Sequence, residues 1–326
     1  MVSLKSHDIL RLIGHNGPVI FSYHGIGPLH SFERLCNNET PMSIFETQIE
    51  EIERHMQIVQ LDDLLRRIQK GLATDLMAAI TFDDGWKSTF RNGLPFLQKK
   101  RIPSTIFINP AFVDNKQWPF YLIAAWLYDR GFADNLRKCL RDTFQADYNL
   151  TSGCEFHCLL QWIICRPAED RRMAKALEEV MKEISADPSE LAQEYGLFCE
   201  LTDLRRANDY CSYGTHGYEH INYGVSSIEA RRSDLLTAKA WFERKQIKTV
   251  GCFALPFGLM KHLGGATVDL SVDCGYSSIM LLEGHPCLAR YRRHSPVLDR
   301  LLARTCWDQK DIYLACRGVK VISSDQ

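Results

Sequence analysis

The chain contains no run of about 18 or more apolar residues, the length a bilayer-spanning helix requires, so an integral membrane segment is not expected. Its amino terminus, MVSLKSHDILRLIGHNGPVIF, lacks the uninterrupted apolar stretch of a signal peptide, because His7, Asp8 and Arg11 break it. Excess charge is missing as well. Lys and Arg total 39 against 40 Asp and Glu, a net charge of −1, which removes any long-range pull toward nucleic acid or anionic membrane. The 12 cysteines follow no framework spacing and many sit in apolar contexts, such as Cys165 after Trp162-Ile-Ile. An oxidising compartment would put such thiols at risk of mispairing, so a cytoplasmic location is expected. Neither an internal repeat nor a low-complexity tract is present.

What remains is an ordinary globular composition, 45% hydrophobic and 24% charged, in 326 residues. That length exceeds what one simple core fills. We expect one large domain with an elaboration, or two domains.

Strand and helix signals alternate through most of the chain. Pro18–Tyr23 is β-like and stops at His24-Gly25, and Phe45, Ile49, Ile52 and Met56 trace one helical face within Met42–Leu65. Ser43 and Glu46 suit a capping box at its start. A short strand is expected at Ile58–Leu61 and a helix over Asp62–Gly71. Met77–Phe82 reads as a strand, followed by a loop at Asp83–Gly85, a helix to about Lys100 and a strand at Ile102–Asn109. The rhythm resumes with strands at Asp209–Gly214 and Thr249–Ala254 around a helix at Ser227–Lys245, then a strand at Gly275–Leu281. Such alternation predicts an α/β layout with parallel strands. Between Asp114 and Arg205 the pattern is helical, with a charged run at Arg166–Lys182. Cys154, His157 and Cys158 lie there at helical spacing among Leu, Trp and Ile, and read as a buried helix face rather than a metal site.

One stretch resists a purely structural account. In AAITFDDGWKSTF the apolar strand ends on two adjacent carboxylates, which repel each other. Residues just after the strands of a parallel α/β fold gather at one edge. DYCSYGTHGYEHINYG places His216 and His220 after a later strand, four residues apart among turn-forming glycines. Two imidazoles and one carboxylate make a three-ligand zinc site with an open position. One carboxylate would be held ionised by the metal and its neighbour left free to take a proton.

These residues resemble the polysaccharide deacetylase family, which includes the nodulation-type chitooligosaccharide deacetylases. Thr81–Gly85 (TFDDG) resembles its first motif, His216–His220 (HGYEH) its histidine-pair motif and Phe253–Gly258 (FALPFG) its third. Tyr23–Gly25 (YHG) resembles the first strand of many bacterial members. The likeness covers roughly residues 18–110 and 206–295, and implies a single catalytic domain over residues 1–326 with the helical segment 114–205 as an insertion. It implies an irregular (β/α) barrel of seven or eight strands, and zinc or another divalent metal held by Asp84, His216 and His220. It further implies Asp83 as general base and hydrolysis of an N-acetyl group from an amino sugar, with a backbone N–H near Phe257 at the oxyanion. A late histidine usually protonates the leaving amine; His294, and after it His285, are the candidates here. His24, Trp86 and Arg292 are expected to line the substrate cleft with Phe257, and Trp118 offers a further stacking surface.

The family's third-motif arginine, which orients the base, is matched here by Ala254, and the usual tyrosine by Phe257. Arg290, Arg292 and Arg293 are candidate replacements. With a cytoplasmic location, the expected substrate is a short, nucleotide-linked or lipid-linked glycan precursor of surface-polysaccharide or glycoconjugate assembly, and an oligomer is possible. A deformylase or other C–N hydrolase is the alternative within the same fold. A binding protein that has lost catalysis is the alternative from a different class, and the missing arginine is its motive.

Overall fold

The computed structural model describes residues 17–28, 30–36, 39–114, 118–148, 150–206, 210–284, 290–292 and 295–317. Twelve strands are described: β1 (Val19–Tyr23), β2 (Gly25–Ile26), β3 (Glu39–Thr40), β4 (Gln57–Ile58), β5 (Met77–Phe82), β6 (Ser104–Ile108), β7 (Cys211–Thr215), β8 (Thr249–Ala254), β9 (Ser278–Met280), β10 (Arg290–Arg292), β11 (Ser295–Leu298) and β12 (Leu301–Leu302). The main sheet runs β10-β11-β9-β8-β7-β6-β5-β1-β12, with β4 added beside β5; β2 and β3 pair separately. Among the described residues, only β10 and β11 pair antiparallel within it. The sheet curls into a half-barrel wrapped by helices, the α/β barrel-like fold the sequence predicts.

Strands covered on both faces must be apolar throughout. All five residues of β1 and the last five of β5 are buried accordingly. Early helices are α1 (Ser31–Arg34), α2 (Met42–His55) and α3 (Leu61–Gln69). The face Leu61, Leu64 and Leu65 of α3 packs on Ile20, Ala79, Phe107, Cys252, Ala254, Met280 and Leu298, drawn from six strands. α2 buries Phe45, Ile49 and Ile52 as the periodicity requires.

Some boundaries differ from expectation. α2 starts at Met42 with Pro41 at its cap, so Ser43 lies inside the first turn and makes no box; its carbonyl accepts from Thr47. The strand expected at Ile58–Leu61 shortens to β4, because Leu61 opens α3. A π-helical turn at Thr89–Gly93 precedes α4 (Leu94–Lys100).

Between β6 and β7 lie α5 (Pro110–Asp114), α6 (Phe120–Asp129), α7 (Ala133–Phe144), α8 (Gly153–Ile164), α9 (Arg172–Glu183), α10 (Pro188–Tyr195) and α11 (Leu201–Arg206). They share an apolar cluster that includes Leu122, Trp126, Phe156, Leu159, Leu177 and Val180. Trp86 and Phe112 join it to the barrel across Phe198, at ring distances of 4.9 and 4.5 Å. α8 corrects one expectation. Its buried stripe is Phe156, Leu159, Leu160 and Ile163, which turns Cys154, His157 and Cys158 to the exposed side. After β7 come α12 (Ile228–Lys245), capped by Ser227, then α13 (Thr267–Asp273) and α14 (Gln309–Cys316). Among the described residues no helix is long and apolar enough to cross a membrane.

Candidate metal and catalytic site

Register decides which side chains meet. Tyr23 pairs with Phe82, Ile108 with Thr215, and Met280 with both Ala254 and Leu298. The next residues along each strand therefore share one edge: His24, Asp83 and Asp84, Asn109, His216, Leu255–Phe257 and Arg300. This is the carboxyl end of the strands, where parallel α/β folds build their sites.

The double aspartate forms a tight turn. Asp83 N–H donates to Tyr23 O (3.0 Å) and Gly85 N–H to Asp83 O (2.9 Å). Asp84 (φ +67°) and Gly85 (φ +75°) both adopt the left-handed region, which costs a residue with a Cβ roughly 1–2 kcal/mol. Glycine is needed next because a Cβ at position 85 would lie 2.8 Å from Ile108 Cδ1. The turn splits the carboxylates. Asp84 sends Oδ1 toward the histidines, 3.4 Å from His216 Nε2 and 3.3 Å from His220 Nε2, while Oδ2 accepts from Trp86 Nε1 at 3.0 Å.

The three ligand atoms all lie within 4.8 Å of one another. Bonds of about 2.0–2.2 Å to one tetrahedral ion imply ligand separations near 3.4 Å, which the two Asp84–imidazole distances match. Among the described residues, buried Asp84 Oδ1 also has no hydrogen-bond partner, an arrangement that a cation would relieve. His216 Nδ1 donates to Ala254 O at 2.8 Å, which leaves Nε2 with its lone pair facing Asp84. This donor set fits zinc.

Two groups fix the histidine loop. Asn109 Nδ2 donates to the carbonyls of His216 and Gly217. Asp234, on α12, accepts from Tyr218 N–H (2.9 Å), Glu219 N–H (2.9 Å) and Tyr223 O–H (2.6 Å). Gly217 passes so close that a Cβ would stand 2.5 Å from Asp234 Oδ2, and its φ is +75°. His220 itself is held at φ +58°.

Asp83 faces the other way. Arg300, with no exposed surface, donates Nη1 to Oδ1 (2.7 Å) and Nη2 to Oδ2 (2.8 Å), and its Nε donates to Leu281 O (3.1 Å). Burial pushes the Asp83 carboxyl up, but Arg300, then His216, outweigh it and hold it below the usual carboxylate value. Asp84 is also held low, against burial, by the two imidazoles. Burial draws His220 down to about 4; His216, despite burial, is raised by the two carboxylates.

Arg300 corrects the expectation that Arg290, Arg292 or Arg293 would partner the base. Nothing in a local motif marks Arg300; only the pairing of β11 with β9 and β12 with β1 carries it beneath Asp83. Trp86, expected to meet a sugar, is fully buried and serves Asp84 instead. Trp118 is buried against Phe32 at a ring distance of 5.3 Å. His24 and Phe257 do line the cleft, and the Phe257 ring meets His220 edge-on at 4.5 Å. His294, His285, Arg293 and the side chains of Arg290 and Arg292 lie outside the described residues.

The cleft at Asp83 and Asp84 is a cavity of about 280 Å³ lined also by His157 and Gln161 from α8 and by Arg304.

Residues 70–148 match the family model described as polysaccharide deacetylase. That segment holds Asp83 and Asp84 and ends before the histidine pair. The fold is similar to IcaB from Ammonifex degensii at 14% identity and TM-score 0.55, covering 94% of this chain and 99% of that one. It is similar to the Streptococcus pyogenes deacetylase PplD in complex with acetate at 13% identity and TM-score 0.53, over 92% and 97%. A de-N-acetylase from Aggregatibacter actinomycetemcomitans gives 10% identity and TM-score 0.53, over 91% and 98%. No curated protein sequence matches the chain. The resemblance to polysaccharide deacetylases therefore holds in both segment and fold, without singling out the nodulation-type branch.

Proposed function

We propose that the protein is a metal-dependent hydrolase that removes an N-acyl group, such as acetyl, from an amino sugar. The observation that carries this is the split aspartate pair: Asp84 Oδ1 converges on two imidazole Nε2 atoms while Asp83, beside it, is clamped by Arg300. Asp84, His216 and His220 would hold the cation. When bound, a divalent ion there supplies Lewis-acid polarisation of the amide carbonyl and lowers the pKa of water toward about 7.

The chain's own residues do the rest. Asp83 stays ionised at neutral pH, and Arg300 uses only one lone pair on each carboxylate oxygen, so a lone pair remains to accept a proton from water. The two-point clamp fixes the direction from which that proton is taken. The Phe257 backbone N–H is our candidate donor to the developing oxyanion, and His294 our candidate proton donor to the leaving amine. His24 and Phe257 would contact the substrate.

Arg300 gives Asp83 a charge partner despite Ala254, which supports the hydrolase reading over a non-catalytic binding protein. We further propose a cytoplasmic location, consistent with free thiols at all 11 described cysteines, and with it a short or carrier-linked glycan precursor as substrate. The 114–205 segment is proposed as an insertion in a single catalytic domain. The test is acetate release from N-acetylated amino sugars by zinc-loaded protein, its chelator-treated form and Asp83→Asn. Activity confined to the first supports the proposal; equal turnover by all three refutes it.

A further inference from the structure

A second cavity, of about 90 Å³, adjoins the first and has a different character. Phe112, Trp118, Phe120 and Ile163 line it, with Arg166 and Asn222 among its polar groups, whereas the larger cavity sets Asp83, Asp84, His157, Gln161 and Arg304 among leucines such as Leu255 and Leu282. Tyr121, Ile164, His220 and Phe257 border both. The candidate metal ligand His220 therefore stands where the two meet. α8 spans both: His157, Leu160 and Gln161 face the larger cavity, Ile163 the smaller, and Ile164 each.

A secondary amide is planar and trans, so its two substituents leave the carbonyl carbon and nitrogen in opposite directions. With the scissile amide at the metal site, the sugar and the acyl group must enter different spaces. The hydroxyl-rich sugar suits the larger cavity, where Asp83, His157, Gln161 and Arg304 offer hydrogen-bonding groups. The acyl group then points into the apolar one. An acetyl methyl would leave most of that space unfilled, since by the same measure a single water needs about 10–15 Å³. Its outer rim is polar, where Arg171 approaches Glu219 at 3.8 Å, and this bounds the apolar length.

We infer that the apolar cavity between α5, α6, α8 and His220 is an acyl-binding pocket, and that the enzyme prefers amino sugars carrying straight-chain N-acyl groups of several carbons over N-acetyl. The inference rests on the hydrolase reading above and specifies its substrate class.

The test is a series of N-acetyl-, N-butanoyl- and N-hexanoylglucosamine with zinc-loaded protein, followed by release of the free amine. Each added methylene is expected to raise kcat/KM by about fourfold until the pocket is full. Ile163→Trp, which fills the pocket, lowers the hexanoyl-to-acetyl ratio at least tenfold. Phe120→Ala, at a half-buried position, moves the optimum to a longer chain and serves if the tryptophan variant does not fold. A rate highest for acetyl, with a ratio unmoved by the variants that fold, overturns the acyl pocket and leaves the hydrolase reading standing. Absence of amine release at every chain length overturns both.

Discussion

Replacing Arg300 by methionine removes a guanidinium that is fully buried and leaves Asp83, 2% exposed, without its two donors. Breaking a buried ion pair from one side costs about 3–5 kcal/mol, because the remaining charge stays in a poor solvent. At about 2–4 °C per kcal/mol for chains of 150–250 residues, the midpoint falls by on the order of 10 °C. The pH dependence is the sharper signature, read by urea denaturation of chelator-treated protein. In the parent, Asp83 titrates below its ordinary value. Its stabilising contribution is present above the unfolded value near 3.9 and is lost as pH falls through the lower folded value. In the variant burial prevails and the folded value rises above the unfolded one. The contribution is then destabilising above about pH 4 and is relieved on acidification, so the gap between the two proteins narrows as pH drops from 7 toward 4. Adding Asp83→Asn to Arg300→Met recovers more than half of the loss. A loss below about 1 kcal/mol, or parallel pH profiles, would refute the buried pair as described.

Trp86→Phe keeps the buried ring but removes the donor to Asp84 Oδ2, and equilibrium dialysis should show zinc affinity reduced by about 10–100-fold. Asp234→Asn strands one backbone N–H of the histidine loop, so a stability loss of about 1–3 kcal/mol is expected in denaturant titration, together with weaker zinc binding. Gly217→Ala imposes a Cβ at φ +75° against Asp234, with an expected loss of at least about 1 kcal/mol by thermal denaturation. Asp83→Asn, by contrast, should keep zinc stoichiometry while losing amide hydrolysis, since Asp83 Oδ1 and Oδ2 face Arg300.

The residues alone determined a good deal. β5 lies at Met77–Phe82, where its apolar run begins and ends, because a strand covered on both faces must be apolar along nearly its whole length, and β8 occupies the expected Thr249–Ala254. Motif spacing also picked out Asp84, His216 and His220, since a turn after a strand is a local event that sequence records. What tertiary structure decided was every relation across the sheet. Arg300 reaches Asp83 from 217 residues away, and Asp234 reaches the histidine loop from another helix; neither carries a local signal. Trp86 reads as a cleft aromatic until packing turns its nitrogen toward Asp84. The helical stripe on α8 is set by which of two faces meets α6, so the cysteines fell on the exposed side. Short-range geometry is written in neighbouring residues, whereas a charge partner is chosen by strand register, and register is settled only when the whole sheet assembles.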